Sequence, residues 1–207
     1  LSQIQDDIKS FDIDTVQKIN YTIWMESAKF RAFGHSQKQE ETIGSMGKIK
    51  ELRASREKIL LSNAFDDNEK ERIITNALNS NMEMDIWYNI LFGNYDNARA
   101  QINEYKSMAE KELKFNPNSL NNFYKFSGYL NLMEGDPQES IDSYSKLSKV
   151  EMSGDSYHSY FLALAKKAIG QEKESNQVLV ALANNNFATW QNSIIKNLAK
   201  SQIKTNL

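Results

Sequence analysis

The chain has 207 residues, with 25 Lys and Arg against 27 Asp and Glu for a net charge of -2, two prolines, eight glycines and no cysteine. That length suffices for one large domain or a short repeat array with a buried core, and the balanced charge exerts no broad pull on nucleic acid or anionic lipid. The missing cysteines exclude disulfides, thiolate catalysis, cysteine-ligated zinc and iron–sulfur clusters.

The chain opens at Leu1 and not at methionine, from which we expect a trimmed or processed chain. "LSQIQDDIKSFDID" has no basic start followed by an apolar run, so it does not read as a signal peptide. Localisation stays open at this level. The absent cysteines and the first residue lean toward an exported or periplasmic bacterial protein with its leader cut off, and a cytoplasmic fragment is the close alternative. The longest apolar stretch, "YFLALA", falls far short of the roughly 18 residues that suggest a membrane span.

Scarce proline and glycine favour long helices over a sheet of many tight turns. Val16, Ile19, Ile23, Ser27 and Phe30 recur at steps of three or four, as do Ile141, Tyr144, Leu147 and Val150, which is the period of one helix face. Together with the cap signals this predicts an all-α fold of about ten helices, over roughly 2–10, 14–33, 36–62, 67–92, 94–114, 118–134, 136–150, 155–169, 171–184 and 187–201.

The stops and starts carry the argument. "FGHSQKQ" reads as a stop at Gly34 followed by Ser36 and Gln39 at capping-box spacing. "AFDDNEK" offers Asp66 with Glu69, and "FGNYDNA" a stop at Gly93 with Asn94 as cap. In "GDPQE" a left-handed Gly135 ends one helix, Asp136 caps the next, Pro137 suits its first position and Glu139 reaches back. "AIGQEKES" repeats the stop at Gly170.

Gly135 and Gly170 are 35 residues apart, and each is followed by a serine at plus five (Ser140, Ser175) and a larger side chain at plus nine (Tyr144, Leu179). A leucine follows each at plus twelve (Leu147, Leu182). The small residue permits close helix approach and the larger ones fill the space between hairpins.

With these residues, "NFYKFSGYLNLMEGDPQESIDSYSKL" and "SYFLALAKKAIGQEKESNQVLVAL" resemble the tetratricopeptide repeat (TPR) family, whose period is about 34 residues. Tyr124 stands for the aromatic of helix A, Gly128 and Ala163 for the close-approach position, and Gly135 and Gly170 for the turn. Ser127 and Asn131 depart from the pattern, and neither repeat closes with proline. The match is specific over 118–184, partial over 86–117, where "GNYDNARAQINEY" supplies a helix B with Ala98, and weak before that.

The resemblance implies antiparallel hairpins stacked as a right-handed solenoid spanning 1–207: divergent hairpins over 1–92, TPR-like repeats over 93–184 and a capping helix over 187–201. It further implies a concave helix-A face that takes protein or peptide segments. Carried over by position, that face is Asn122, Lys125, Tyr129, Leu132 and Met133, then Tyr157, Tyr160, Leu164 and Lys167. The carboxylate clamp of some family members needs an asparagine one helical turn after the lysine, and Lys125 is followed by Tyr129 instead.

Competing chemistries find little support. The interleaved aromatics and lysine of "FYKFSGYLNLM" fit a packed helix better than a nucleic-acid platform. His35 and His158 read as solvated polar residues in different hairpins, with no metal or catalytic relay implied. "DDNEKE" lacks the ligand order of a calcium loop, "GSMG" is not a nucleophile elbow, and no phosphate-cradling loop occurs. Trp24, Trp87 and Trp190 read as packing residues, and Lys196, Lys200 and Lys204 as a solvated helix face. The expectation is therefore a non-catalytic protein- or peptide-binding scaffold without cofactor or metal. A self-associating homo-oligomeric module, or the accessory repeat region of a larger protein, enzymatic or not, is the alternative.

Overall fold

The computed structural model describes residues 14–114, 116–187 and 189–204, and the helix expected over 2–10 lies outside them. The described residues are all-α: ten helices and no strand. In chain order they are α1 (Thr15–His35), α2 (Gln39–Asn63), α3 (Asp67–Leu91), α4 (Tyr95–Glu112), α5 (Asn121–Glu134), α6 (Pro137–Tyr144), α7 (Lys149–Gly154), α8 (Ser156–Ala168), α9 (Glu172–Ala183) and α10 (Trp190–Lys204). The chain divides between Phe92 and Gly93 into two compact units.

In the first unit α1 packs on α2, α2 on α3, and α1 touches α3. Asp14 caps α1 by accepting from the Gln17 amide at 2.9 Å, and Asp66 caps α3 by accepting from the Glu69 amide at 2.8 Å. The Glu69 carboxylate reaches back to the Phe65 amide at 2.8 Å, completing a capping box one residue wider than usual. Met25, Phe30, Ile49, Ile86 and Ile90 form the buried centre. Lys50 pairs with Asp85 at 2.7 Å, and Arg53 donates to the Ser80 carbonyl and the Asn81 side chain, tying α2 to α3.

Gly34 does not stop α1. It lies inside the helix, where a Cβ would sit 2.7 Å from Leu91 Cδ1, so its service is close approach to α3. The left-handed residue of this turn is Gln37, at φ 56°, and the Lys38 amide bonds back to the Phe33 carbonyl at 3.0 Å. α2 then starts from Lys38 without a side-chain cap, so the expected Ser36–Gln39 box does not form.

In the second unit α5 and α6 form one hairpin, and α8 and α9 another. α4 packs on α5, α8 packs on both helices of the first hairpin, and α10 packs on both helices of the second. Gly135 and Gly170 take φ of 91° and 82°, a region where only glycine escapes steric cost. The turns close alike: the Asp136 amide bonds to the Asn131 carbonyl at 2.8 Å and the Gln171 amide to the Lys166 carbonyl at 2.9 Å, the six-to-one bond of a Schellman motif. Pro137 occupies the first turn of α6 as expected, but the Asp136 side chain makes no cap bond.

Both hairpins are pinned by the same buried hydrogen bond. Ser140 Oγ donates to the Gly128 carbonyl and Ser175 Oγ to the Ala163 carbonyl, each at 2.7 Å and each across twelve residues. Gly128 is needed because a Cβ there would meet the Tyr144 ring at 2.7 Å. Thirty-five residues on, the corresponding positions hold Ala163 and Leu179, both fully buried. A larger residue on helix A is matched by a smaller one on helix B, so the helices keep their approach.

The helix expected over 136–150 is broken. α6 ends at Tyr144, the chain tightens through Ser145–Leu147, and Ser148 starts α7 by accepting from the Glu151 amide at 3.2 Å. Val150, expected on the apolar stripe, is therefore 79% exposed.

Candidate functional site

The expected face draws four positions each from α5 and α8 at helical spacing, with Met133 beside them. Asn122, Lys125, Tyr129 and Leu132 correspond to Tyr157, Tyr160, Leu164 and Lys167 at an offset of 35 residues. Steps of three and four place each set on one side of its helix.

The three tyrosines lie behind that face rather than on it. Tyr129, Tyr157 and Tyr160 are buried, at 3%, 3% and 5% exposure. Tyr129 stacks on Phe161 with centroids 3.9 Å apart and planes 18° apart, joining α5 to α8. Tyr160 meets the same ring edge-on at 5.5 Å, and Tyr157 lies 6.1 Å from Phe161 and 6.2 Å from Trp190. These rings fix the spacing of α5, α8 and α10. Burial raises the Tyr160 hydroxyl above its ordinary range against a hydrogen bond from Gln202 that lowers it.

The remaining positions reach solvent at least in part. Met133 is 42% exposed, and Leu132 and Leu164 are half-buried. Asn122 donates to the Tyr105 hydroxyl at 3.3 Å, which orients its amide, and Lys167 Nζ lies 3.4 Å from the Gln202 carbonyl on α10. Of the nine expected positions, Leu132, Met133 and Leu164 are thus the apolar ones that reach solvent, and Asn122, Lys125 and Lys167 the polar ones.

Lys125 belongs also to a charged group that the sequence reading missed. Its Nζ pairs with Glu151 of α7 at 2.8 Å, with the lysine side chain only 16% exposed. The hydrogen bond and charge of Lys125 hold the Glu151 carboxyl below its ordinary range. Asp155, the cap of α8, accepts from the Tyr157 amide at 2.8 Å and lies 3.4 Å from His158 Nε2. Burial would raise the Asp155 carboxyl, yet His158, the Tyr157 amide and Lys125 together bring it below the usual carboxylate range. Ser148 and Glu151 stand at capping-box spacing, and that signal would have placed Glu151 in the first turn of a new helix, though not its pairing with Lys125.

His158, read as solvated, is only 4% exposed. His35, read the same way, is half-buried at the end of α1, where burial and the neighbouring Arg31 lower its pKa to about 4. Trp24, read as packing, is 50% exposed, whereas Trp87 is buried with the Arg31 guanidinium 3.3 Å from its ring centroid. Lys196 reaches Asn186 at 2.6 Å and Lys200 is exposed.

Among the described residues no three histidine or carboxylate side chains gather as a metal site, and no helix is long and apolar enough to cross a membrane. His158 has an acidic neighbour, but its Nδ1 is enclosed and bonded to nothing. What the arrangement offers is partly exposed apolar and polar side chains on α5 and α8, two helices braced by buried rings. Comparison with protein-family models, with curated proteins and with solved structures finds no match for this chain.

Proposed function

We propose that the second unit is a TPR-like array, wound as a right-handed solenoid, whose helix-A face on α5 and α8 binds a protein or peptide segment without catalysis. The observation that carries this reading is the recurrence, 35 residues apart, of the left-handed glycine turn and the buried serine-to-carbonyl bond. Two hairpins made by the same devices present the same four-position stripe twice, as a repeat surface does.

Affinity arises from burying partner side chains against Leu132, Met133 and Leu164, while Asn122, Lys125 and Lys167 set register through hydrogen bonds and charge. The Tyr129–Phe161 stack holds the surface before the partner arrives, so little ordering cost falls on this side of the complex. Selection of displayed peptides against the full chain, followed by affinity measurement with Leu132→Glu and Leu164→Glu, tests the reading. Peptides that lose tenfold or more in affinity, about 1.4 kcal/mol, support it. Peptides that bind both variants as they bind the parent chain count against it.

Self-association is the second reading. Tyr21 and Trp24, one helical turn apart on α1, are 51% and 50% exposed and give a second copy an aromatic hold. Sedimentation over a wide concentration range, with Trp24→Gln as comparison, separates this from a monomeric scaffold.

A further inference from the structure

A cavity of about 370 Å³ lies in the second unit, lined by none of the helix-A positions, where the start of α8, the end of α9 and the start of α10 converge. Its volume falls at the lower end of the range for small-molecule sites, roughly 300–1,000 Å³. A small ligand fits it, and an extended peptide does not.

The wall chemistry narrows the class. Among the described lining residues Asp155 is the ionisable one, and the His158 beside it is not part of the lining. Asn185, Gln191 and Asn192 bring carboxamides, and Ser156, Ser159 and Thr189 bring hydroxyls. Leu182 and Phe187 supply the apolar surface, and Phe187 is 74% exposed.

Several of these groups are already oriented by the protein. Asn185 Oδ1 accepts from the Phe187 amide at 2.9 Å, which leaves its NH₂ to donate. Asn192 Nδ2 donates to the Phe187 carbonyl at 3.0 Å, which leaves its oxygen to accept. Ser159 Oγ donates to the Met152 carbonyl at 2.7 Å and keeps its acceptor capacity. Ser156 Oγ is enclosed and has no hydrogen-bond partner.

An ammonium ligand needs acceptors alone and would waste the carboxamide donors. An anion meets Asp155 and no cation. A neutral ring bearing vicinal hydroxyls uses donors and acceptors together, with the remaining lone pairs of Asp155, already partnered by the Tyr157 amide and His158, accepting from a hydroxyl and an exposed aromatic ring covering its C–H face. We infer that this cavity is a binding site for a neutral hexopyranose, free or as the terminal residue of an oligosaccharide.

Amide NMR of the full chain titrated with the methyl glycosides of glucose, galactose and mannose, and with N-acetylglucosamine, tests it. N-butylammonium and N-acetylglycinamide serve as cationic and amide comparisons. The expected result is saturable millimolar shifts with at least one sugar, mapping to 155–159, 185–187 and 189–192. Phe187→Ala, at an exposed position, and Gln191→Ala, at a half-buried one, should each weaken that sugar about tenfold with the amide spectrum otherwise retained. A matching trisaccharide that binds more tightly than the methyl glycoside assigns the site to glycan ends, and equal affinity assigns it to free sugar. Absence of saturable shifts with every sugar, saturation only with the comparison probes, or sugar shifts unaffected by either substitution would overturn the inference.

Discussion

Gly128→Ala isolates the packing device of the α5–α6 hairpin. A Cβ at this position stands 2.7, 2.7 and 2.9 Å from three atoms of the Tyr144 ring, and that ring is 1% exposed with no room to retreat. Overpacking of this kind costs about 1–3 kcal/mol, while replacing glycine by alanine inside a helix returns about 1 kcal/mol. Gly44→Ala supplies the reference, because Gly44 lies within α2 with nothing within 4 Å of an added Cβ. It should stabilise the first unit by about 1 kcal/mol. Gly128→Ala should fall about 1–3 kcal/mol below that gain in denaturant unfolding of the second unit.

The decisive comparison is a double-mutant cycle with Tyr144→Leu, which copies the Ala163 and Leu179 pair of the next hairpin. Tyr144→Leu alone opens a cavity and destabilises by about 2–4 kcal/mol. In that background the alanine has space and should cost nothing, giving a coupling of about 1–3 kcal/mol. Equal effects of Gly128→Ala in both backgrounds would refute the steric account.

Three further outcomes follow. Ser140→Ala and Ser175→Ala should each destabilise the second unit by about 0.5–1.5 kcal/mol, because each removes a buried hydrogen bond to a carbonyl within the neighbouring helix; equilibrium unfolding that differs greatly between the two would contradict their equivalence. Gly170→Ala, at φ 82° in open space, should cost about 1–2 kcal/mol from backbone strain alone; Gly170→Asn should cost less, since asparagine tolerates that conformation better. His35, lowered from 6.5 to about 4 in the folded chain, contributes stability that is complete above pH 6.5 and lost as pH falls toward 4. The interval of about 2.5 in pH corresponds to at most about 3.5 kcal/mol. His35→Gln should flatten this part of the first unit's stability profile, and an unchanged slope would remove His35 as its source.

Turn chemistry was legible in the sequence because it is local. Gly135 and Gly170 each meet a demand set within a few residues, and serine at plus five has few uses other than close approach. Gly34 misleads because glycine serves two ends: there it admits Leu91, and Gln37 takes the left-handed position instead. The break after Tyr144 was hidden by Leu147, which keeps the helical period and is buried on the far side of the break. The tyrosines of the expected face lie on α5 and α8 but are buried. Period tells which side of a helix a residue takes, and only the neighbouring helix decides whether that side is covered. Phe161 covers Tyr129, and no spacing in α5 announces it. The same reason separates exposed Trp24 from buried Trp87 and places His158 beside Asp155.

Hydrogen–deuterium exchange of the full chain, with and without a peptide selected for binding, addresses the central claim most directly. The account predicts that added protection concentrates on α5 and α8 around Leu132–Glu134 and Leu164–Lys167. Protection confined to α6 and α9, or to the helices of the first unit, would contradict it.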